Sequence, residues 1–81
     1  MYKKTYIDVI VKFFKDGHIR PLEILWEDGE RIVIDKVKFI DRAPSNVSGM
    51  LLFRFTVLIQ GQERYLYYDK FNQQWFVEKK E

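Results

Sequence analysis

The sequence predicts an all-β fold: six antiparallel strands forming one strongly curved sheet, with little or no helix. Three observations carry that expectation. Apolar residues recur at every second position along successive short stretches, Asp-Gly pairs punctuate those stretches, and no segment keeps the 3.6-residue period of an amphipathic helix.

From Tyr6 to Phe14 the odd positions Ile7, Val9, Val11 and Phe13 are apolar, while Asp8 and Lys12 fall on the other face. That alternation is the signature of a half-buried strand. Lys15-Asp16-Gly17-His18 supplies a hairpin turn, after which Leu22, Ile24 and Trp26 share a face opposite Glu23. Pro21 lacks an amide hydrogen, so its part of the second strand belongs at an edge or at the strand's start. Glu27-Asp28-Gly29-Glu30 marks a second tight turn. In the third segment Ile32 and Ile34 are apolar at even positions, but Val37 and Phe39 continue at odd ones. A one-residue slip would turn every following side chain to the wrong face, so a β-bulge is expected near Asp35-Lys36, bending one long strand around the core. Arg42 to Gly49 reads as an irregular loop centred on Ala43-Pro44-Ser45-Asn46. Leu51, Phe53, Phe55, Val57 and Ile59 mark the fourth and central strand, Arg64 to Asp69 a fifth rich in Tyr, and Gln74 to Glu78 a short sixth. Strands joined mostly by tight turns, with a bend in the third, favour a curved sheet or a small SH3-like barrel. Ile10, Leu52 and Leu58 make the opposite face more apolar than water requires, so closure or a second copy of the chain is expected to cover them.

With 81 residues the chain accommodates a single domain, 1–81, with a core from about residue 5 to 78 and a frayed tail at 79–81. A fold this short buries only about 60% of its unfolded surface, which makes large side chains important. Cysteine is absent, which excludes disulfides and thiolate metal sites and suits a reducing compartment. Seven Phe, five Tyr and two Trp are expected to build the core instead. Fourteen Lys and Arg against twelve Asp and Glu leave a net charge of +2 with the signs intermixed, a weak basis for nucleic-acid binding. Asp8 and Lys12 interrupt the apolar stretch near the N-terminus, so no secretory signal or membrane span is expected, and the location expected is cytoplasmic. Asn46-Val47-Ser48 fits a glycosylation acceptor but reads as an ordinary polar loop without a secretion signal.

No catalytic, cofactor-binding or metal-ligating constellation stands out. His18 is the single imidazole and falls at a hairpin tip, where nothing would bury it or orient it against a nucleophile. Glu27, Asp28 and Glu30 crowd one turn, yet calcium needs six to eight oxygens in an ordered loop, and acidic residues beside Gly are what such turns use anyway. Neither a glycine-rich phosphate loop nor a GxSxG or HExxH motif is present. Asp35, placed where the third segment turns inward, would need a partner if buried, and Arg54 between Phe53 and Phe55 is the candidate for a structural ion pair. The remaining signal is aromatic. Tyr65, Tyr67, Tyr68 and Trp75, with Arg64 and Lys70 nearby, form the candidate partner surface. Alternation sends only half of those rings to either face, and a core without disulfides claims several of them.

The run Pro21-Leu22-Glu23-Ile24-Leu25-Trp26-Glu27-Asp28-Gly29, followed by Ile34-Asp35-x-Val37, Arg54-Phe55-Thr56-Val57 and Trp75-Phe76-Val77-Glu78, resembles a family of short bacterial domains of unknown function found mainly in Firmicutes. The resemblance spans Lys12 to Glu78 and implies a compact self-standing domain, with no activity or cofactor to carry over. The expectation for function is a non-enzymatic β module that contacts a protein partner or a second copy of itself. Binding of single-stranded DNA or RNA through exposed Tyr, Trp, Arg and Lys is the alternative.

Overall fold

The alternation is realised as seven strands. A computed structural model describes residues 2–44 and 51–80 and assigns β1 (Tyr2–Phe13), β2 (Ile19–Leu25), β3 (Arg31–Val33), β4 (Lys36–Pro44), β5 (Leu51–Ile59), β6 (Gln62–Asp69) and β7 (Gln74–Lys80). They form one antiparallel sheet in the order β3-β2-β1-β7-β6-β5-β4, curled into a half-barrel. Among the described residues no helix is long and apolar enough to cross a membrane.

The seventh strand arises because the expected long third strand is divided. β3 and β4 are consecutive in sequence yet occupy opposite edges of the sheet. Ile34 and Asp35 carry the chain across: the Ile34 N–H donates to the Leu22 carbonyl at 2.9 Å, and the Asp35 N–H donates to the Leu58 carbonyl at 2.9 Å. The parity slip at Asp35-Lys36 is therefore a break between strands, and the register shift of β4 on β5 follows later, between Val37 and Phe39. A bulge bends a strand while leaving it beside one partner, whereas here the chain must exchange β2 for β5.

β1 plays the complementary part at the other corner. Its first half, Tyr2 to Ile7, pairs with β7, and its second half, Asp8 to Phe13, pairs with β2 on the opposite side. Each half of β1 thus has a strand on one side only. Pro21 sits in β2 where the register on β1 shifts, before the stretch Glu23 to Leu25 that β3 covers, so its missing amide hydrogen leaves no gap in that ladder. β7 runs to Lys80, with Lys79 and Lys80 paired with Lys3 and Tyr2, and Glu81 lies outside the described residues. β4 likewise runs to Pro44, past the expected start of the loop, and the rest of that loop, including Asn46-Val47-Ser48, lies outside the described residues.

The turns follow from their residues. Gly17 and Gly29 adopt φ of +96° and +88°, values that an L side chain disfavours. Asp16 and Asp28 brace these turns by accepting the N–H of His18 at 3.1 Å and of Glu30 at 2.8 Å. Between β5 and β6 the two-residue turn Gln60-Gly61 has positive φ at both positions, the type I′ pattern that matches strand twist.

Inside the curl, Ile7, Ile24, Ile34, Phe55, Val57, Leu66 and Trp75 form the main core, with Phe53, Ile59 and Tyr68 packed against it. Phe53, Phe55, Val57 and Ile59 of the central strand therefore face inward, as alternation implies. Leu52, Tyr67 and Phe76 form a second, smaller cluster on the outer face, so part of the aromatic complement covers that side of the sheet.

Candidate functional site

The proposed aromatic surface is divided by the pleat. Trp75 pairs with Tyr68 across β7 and β6, their ring centroids 4.5 Å apart, and both point into the curl. Tyr65 and Tyr67 point outward; Tyr67 is buried, while Tyr65 is half exposed. Arg64 lies opposite Val57 on the inward side but at an exposed end, and Lys70 is exposed on the β6–β7 turn. These six residues do not form one site.

The outward set belongs instead to a row crossing five strands. Tyr6, Phe76, Tyr67, Arg54 and Asp41 are direct cross-strand neighbours from β1 to β4. Tyr67 stacks on Phe76 at 5.3 Å with the rings 8° from parallel, and Tyr6 meets Phe76 edge-on at 5.7 Å. Arg54 grips Asp41 with two bonds of 3.2 and 2.7 Å, an arrangement suited to the planar guanidinium. The expected partner Asp35 is elsewhere. It is exposed, and its carboxylate accepts the Gln60 N–H at 2.9 Å, bracing the β5–β6 turn. Arg54 reaches Asp41 because the two stand directly opposite in the β4–β5 ladder, whereas Asp35 precedes β4.

Charge in this row is balanced. Bonding to Asp41 pushes the Arg54 pKa further up and keeps the guanidinium charged. Burial raises the Tyr67 phenol above its ordinary value, and its hydrogen bond to Glu78 adds to that effect against the opposing influence of Arg54. Arg54 also lies 4.6 Å over the Tyr65 ring, and Lys4 lies 4.9 Å over Phe76. Beside the row, Lys38 bonds Glu63 at 2.9 Å. Around these groups Tyr6, Tyr65 and Phe39 remain 52%, 52% and 54% exposed.

A second feature is a groove of about 750 Å³ where β1 changes partners. Its walls come from β1, the end of β2 and the β6–β7 hairpin, and they include Asp8, Trp26, Glu27, Tyr68 and Trp75. At the other mouth of the curl a cavity of about 360 Å³ lies between Ile24 and Ile32 on one side and Val57, Leu66 and Val77 on the other, with Arg64 and Lys79 at its rim.

His18 is exposed at its hairpin tip, its Nδ1 2.9 Å from the Asp16 carboxylate. The amide and side chain of His18 hold the Asp16 carboxyl below its usual value. The acidic turn residues are also engaged locally: Asp28 caps its turn, and Glu27 bonds Lys79 at 3.2 Å. Sequence reasoning missed Tyr6, Phe39 and Asp41 as parts of a shared face with Phe76 and Tyr67. Alternation alone places Tyr6 opposite to Ile7 and Phe76 opposite to Trp75, but the pairing of β1 with β7 that joins them links the two ends of the fold. In comparisons with known proteins, the chain matches no family model, no curated protein and no solved structure.

Proposed function

We propose that this chain is a non-enzymatic binding module whose partner is a protein. The observation that carries the reading is the outer face, where three half-exposed rings, Tyr6, Tyr65 and Phe39, surround cations already engaged by carboxylates. A nucleic-acid platform needs exposed rings beside Lys and Arg able to meet phosphate. Here Arg54 is clamped by Asp41 and Lys38 by Glu63, so the face offers apolar area and balanced charge, the character of a protein contact.

Self-association is the second form of the reading, and β4 is the strand that would carry it: it is the long outermost strand, whereas β3, the other, spans only three residues.

The test is a titration of labelled single-stranded DNA and RNA at roughly 50 and 200 mM salt, with sedimentation of the free protein alongside. No binding at the lower salt and a monomeric sedimentation profile are expected. Saturable binding whose affinity falls steeply with salt would overturn the reading in favour of nucleic acid.

A further inference from the structure

The sheet is split between β6 and β7. Their ladder has only the rungs Asp69–Gln74, Tyr68–Trp75 and Tyr67–Phe76, although β6 reaches back to Gln62 and β7 runs on to Lys80. Beyond Tyr67 and Phe76, β6 keeps its pairing with β5 and β7 keeps its pairing with β1. Each strand therefore has a neighbour on its far side only, and the two part. The cavity of about 360 Å³ lies at this split: Arg64, Tyr65 and Leu66 line it from β6, and Val77, Glu78 and Lys79 from β7.

Its deep wall is aliphatic. Ile24, Val57 and Leu66 are buried core residues, while Ile32, Ile59 and Val77 pack against them and stay only partly buried around the opening. Alternation puts two cations on the same inward face, Arg64 two residues from Leu66 and Lys79 two residues from Val77. Only one of them is matched by an acid. Lys79 bonds Glu27 at 3.2 Å. Arg64 bonds two neutral groups, the Glu63 carbonyl at 3.1 Å and the Gln62 side-chain oxygen, and among the described residues it has no carboxylate partner. The acids beside these cations in sequence lie on the outer face, where Glu63 bonds Lys38 and Glu78 bonds the Tyr67 phenol.

We propose that this cavity binds a small molecule with an aliphatic body and a single carboxylate, a medium-chain fatty acid in type. The body lies among Ile24, Ile32, Val57 and Leu66, and the carboxylate meets Arg64, whose planar fork suits it. Arg64 is exposed, so it can exchange its two neutral acceptors for the ligand. The volume stands near the small end of the range for small-molecule sites, roughly 300–1,000 Å³. The split ends where the strands meet at the Tyr67–Phe76 rung, which favours a short ligand over a continuous chain. One unmatched positive charge fits one carboxylate, whereas a phosphate monoester brings about −1.5 to −2 and leaves a surplus beside Glu27. The site goes beyond the protein-contact reading and is independent of it.

Titration of methyl-labelled protein, followed by NMR, tests the site. The probes are octanoate, octanol and octylammonium, which share a body and differ in the head. Octanoate is expected to shift the methyls of Ile24, Ile32, Val57, Ile59, Leu66 and Val77 saturably, with half-saturation below about 1 mM. Octanol is expected to bind about tenfold more weakly, because it lacks the charge-assisted bond, and octylammonium more weakly still. Arg64→Gln, an exposed substitution, should bring octanoate down to about the octanol affinity and leave octanol within about twofold. No saturable shift up to about 5 mM octanoate, octylammonium binding as tightly as octanoate, shifts centred on Val9 and Val11 of the other groove, or unchanged octanoate affinity in Arg64→Gln would each overturn the proposal. The comparison of the three ligands on the parent protein decides the matter even if the variant does not fold.

Discussion

Replacing Thr56 with Val is expected to stabilise the protein. Thr56 is fully buried in β5, between Phe39 and Tyr65 in the outer-face ladder, and its hydroxyl meets no hydrogen-bond partner among the described residues. A buried hydroxyl that loses its water without gaining a partner costs about 1–3 kcal/mol. Val has nearly the same shape and is also β-branched, so the swap removes that cost while preserving packing and strand preference. Taking the lower part of that range, about 1 to 2 kcal/mol, the melting temperature of a domain this size should rise by roughly 5 to 15 °C. In urea the midpoint should move up with the slope unchanged, because the surface exposed on unfolding is the same. Thr56→Ser is the counterpart: it keeps the hydroxyl, deletes the methyl, and is expected to lose about 1 kcal/mol. Equal or lower stability of Thr56→Val would show that the hydroxyl is satisfied in solution, and the reasoning would fail.

Three further predictions concern the turns. Asp35→Ala removes the carboxylate that holds the Gln60 amide and should cost about 1 kcal/mol in urea unfolding, whereas Gln60→Gly relieves a positive φ of 52° and should stabilise by several tenths of a kcal/mol. No loss in Asp35→Ala would mean that the turn holds its shape unaided. Asp69 accepts the amides of Phe71 and Asn72 and the side-chain amide of Asn72, and the side-chain bond is the main cause of its lowered pKa. Because the folded value lies below the unfolded one, near 3.9, this contribution is complete above that pH and is lost as pH falls through the folded value. Melting temperatures recorded between about pH 5 and 2 should therefore fall less steeply in Asp69→Ala than in the parent. An identical slope would contradict the assignment.

Much of the fold was legible because pleated strands reveal their faces locally. Phe53, Phe55 and Val57 could be sent inward from spacing alone, and Asp16-Gly17 and Asp28-Gly29 could be placed at turns from the φ values that only certain residues tolerate. The break at Ile34-Asp35 was visible as a change of parity, but a bulge and a change of partner produce the same local pattern. Deciding between them needs the position of β5 relative to β2, which is a long-range fact. The candidate site was harder for the same reason. Each member of the Tyr6–Phe76–Tyr67–Arg54–Asp41 row is visible in the sequence, but the row exists only once five strands are in register. Assigning Arg54 to Asp35 chose a plausible acid on the wrong side of the strand start. The cavity left a fainter trace, since Arg64 and Lys79 are ordinary strand residues until the parting of β6 from β7 sets them at one mouth.

The pairing of β1 with β7 also has consequences for the order in which the molecule can assemble. The rungs from Tyr2–Lys80 to Ile7–Trp75 join the earliest and latest strands of the domain, so they close the largest loop in the chain. During synthesis the β1–β2–β3 meander can form as soon as it emerges, but the first half of β1 has no neighbour until translation has passed Lys80. Tyr2 and Tyr6 then spend the whole interval in water or against a chaperone, and cooperative folding waits for the final strand.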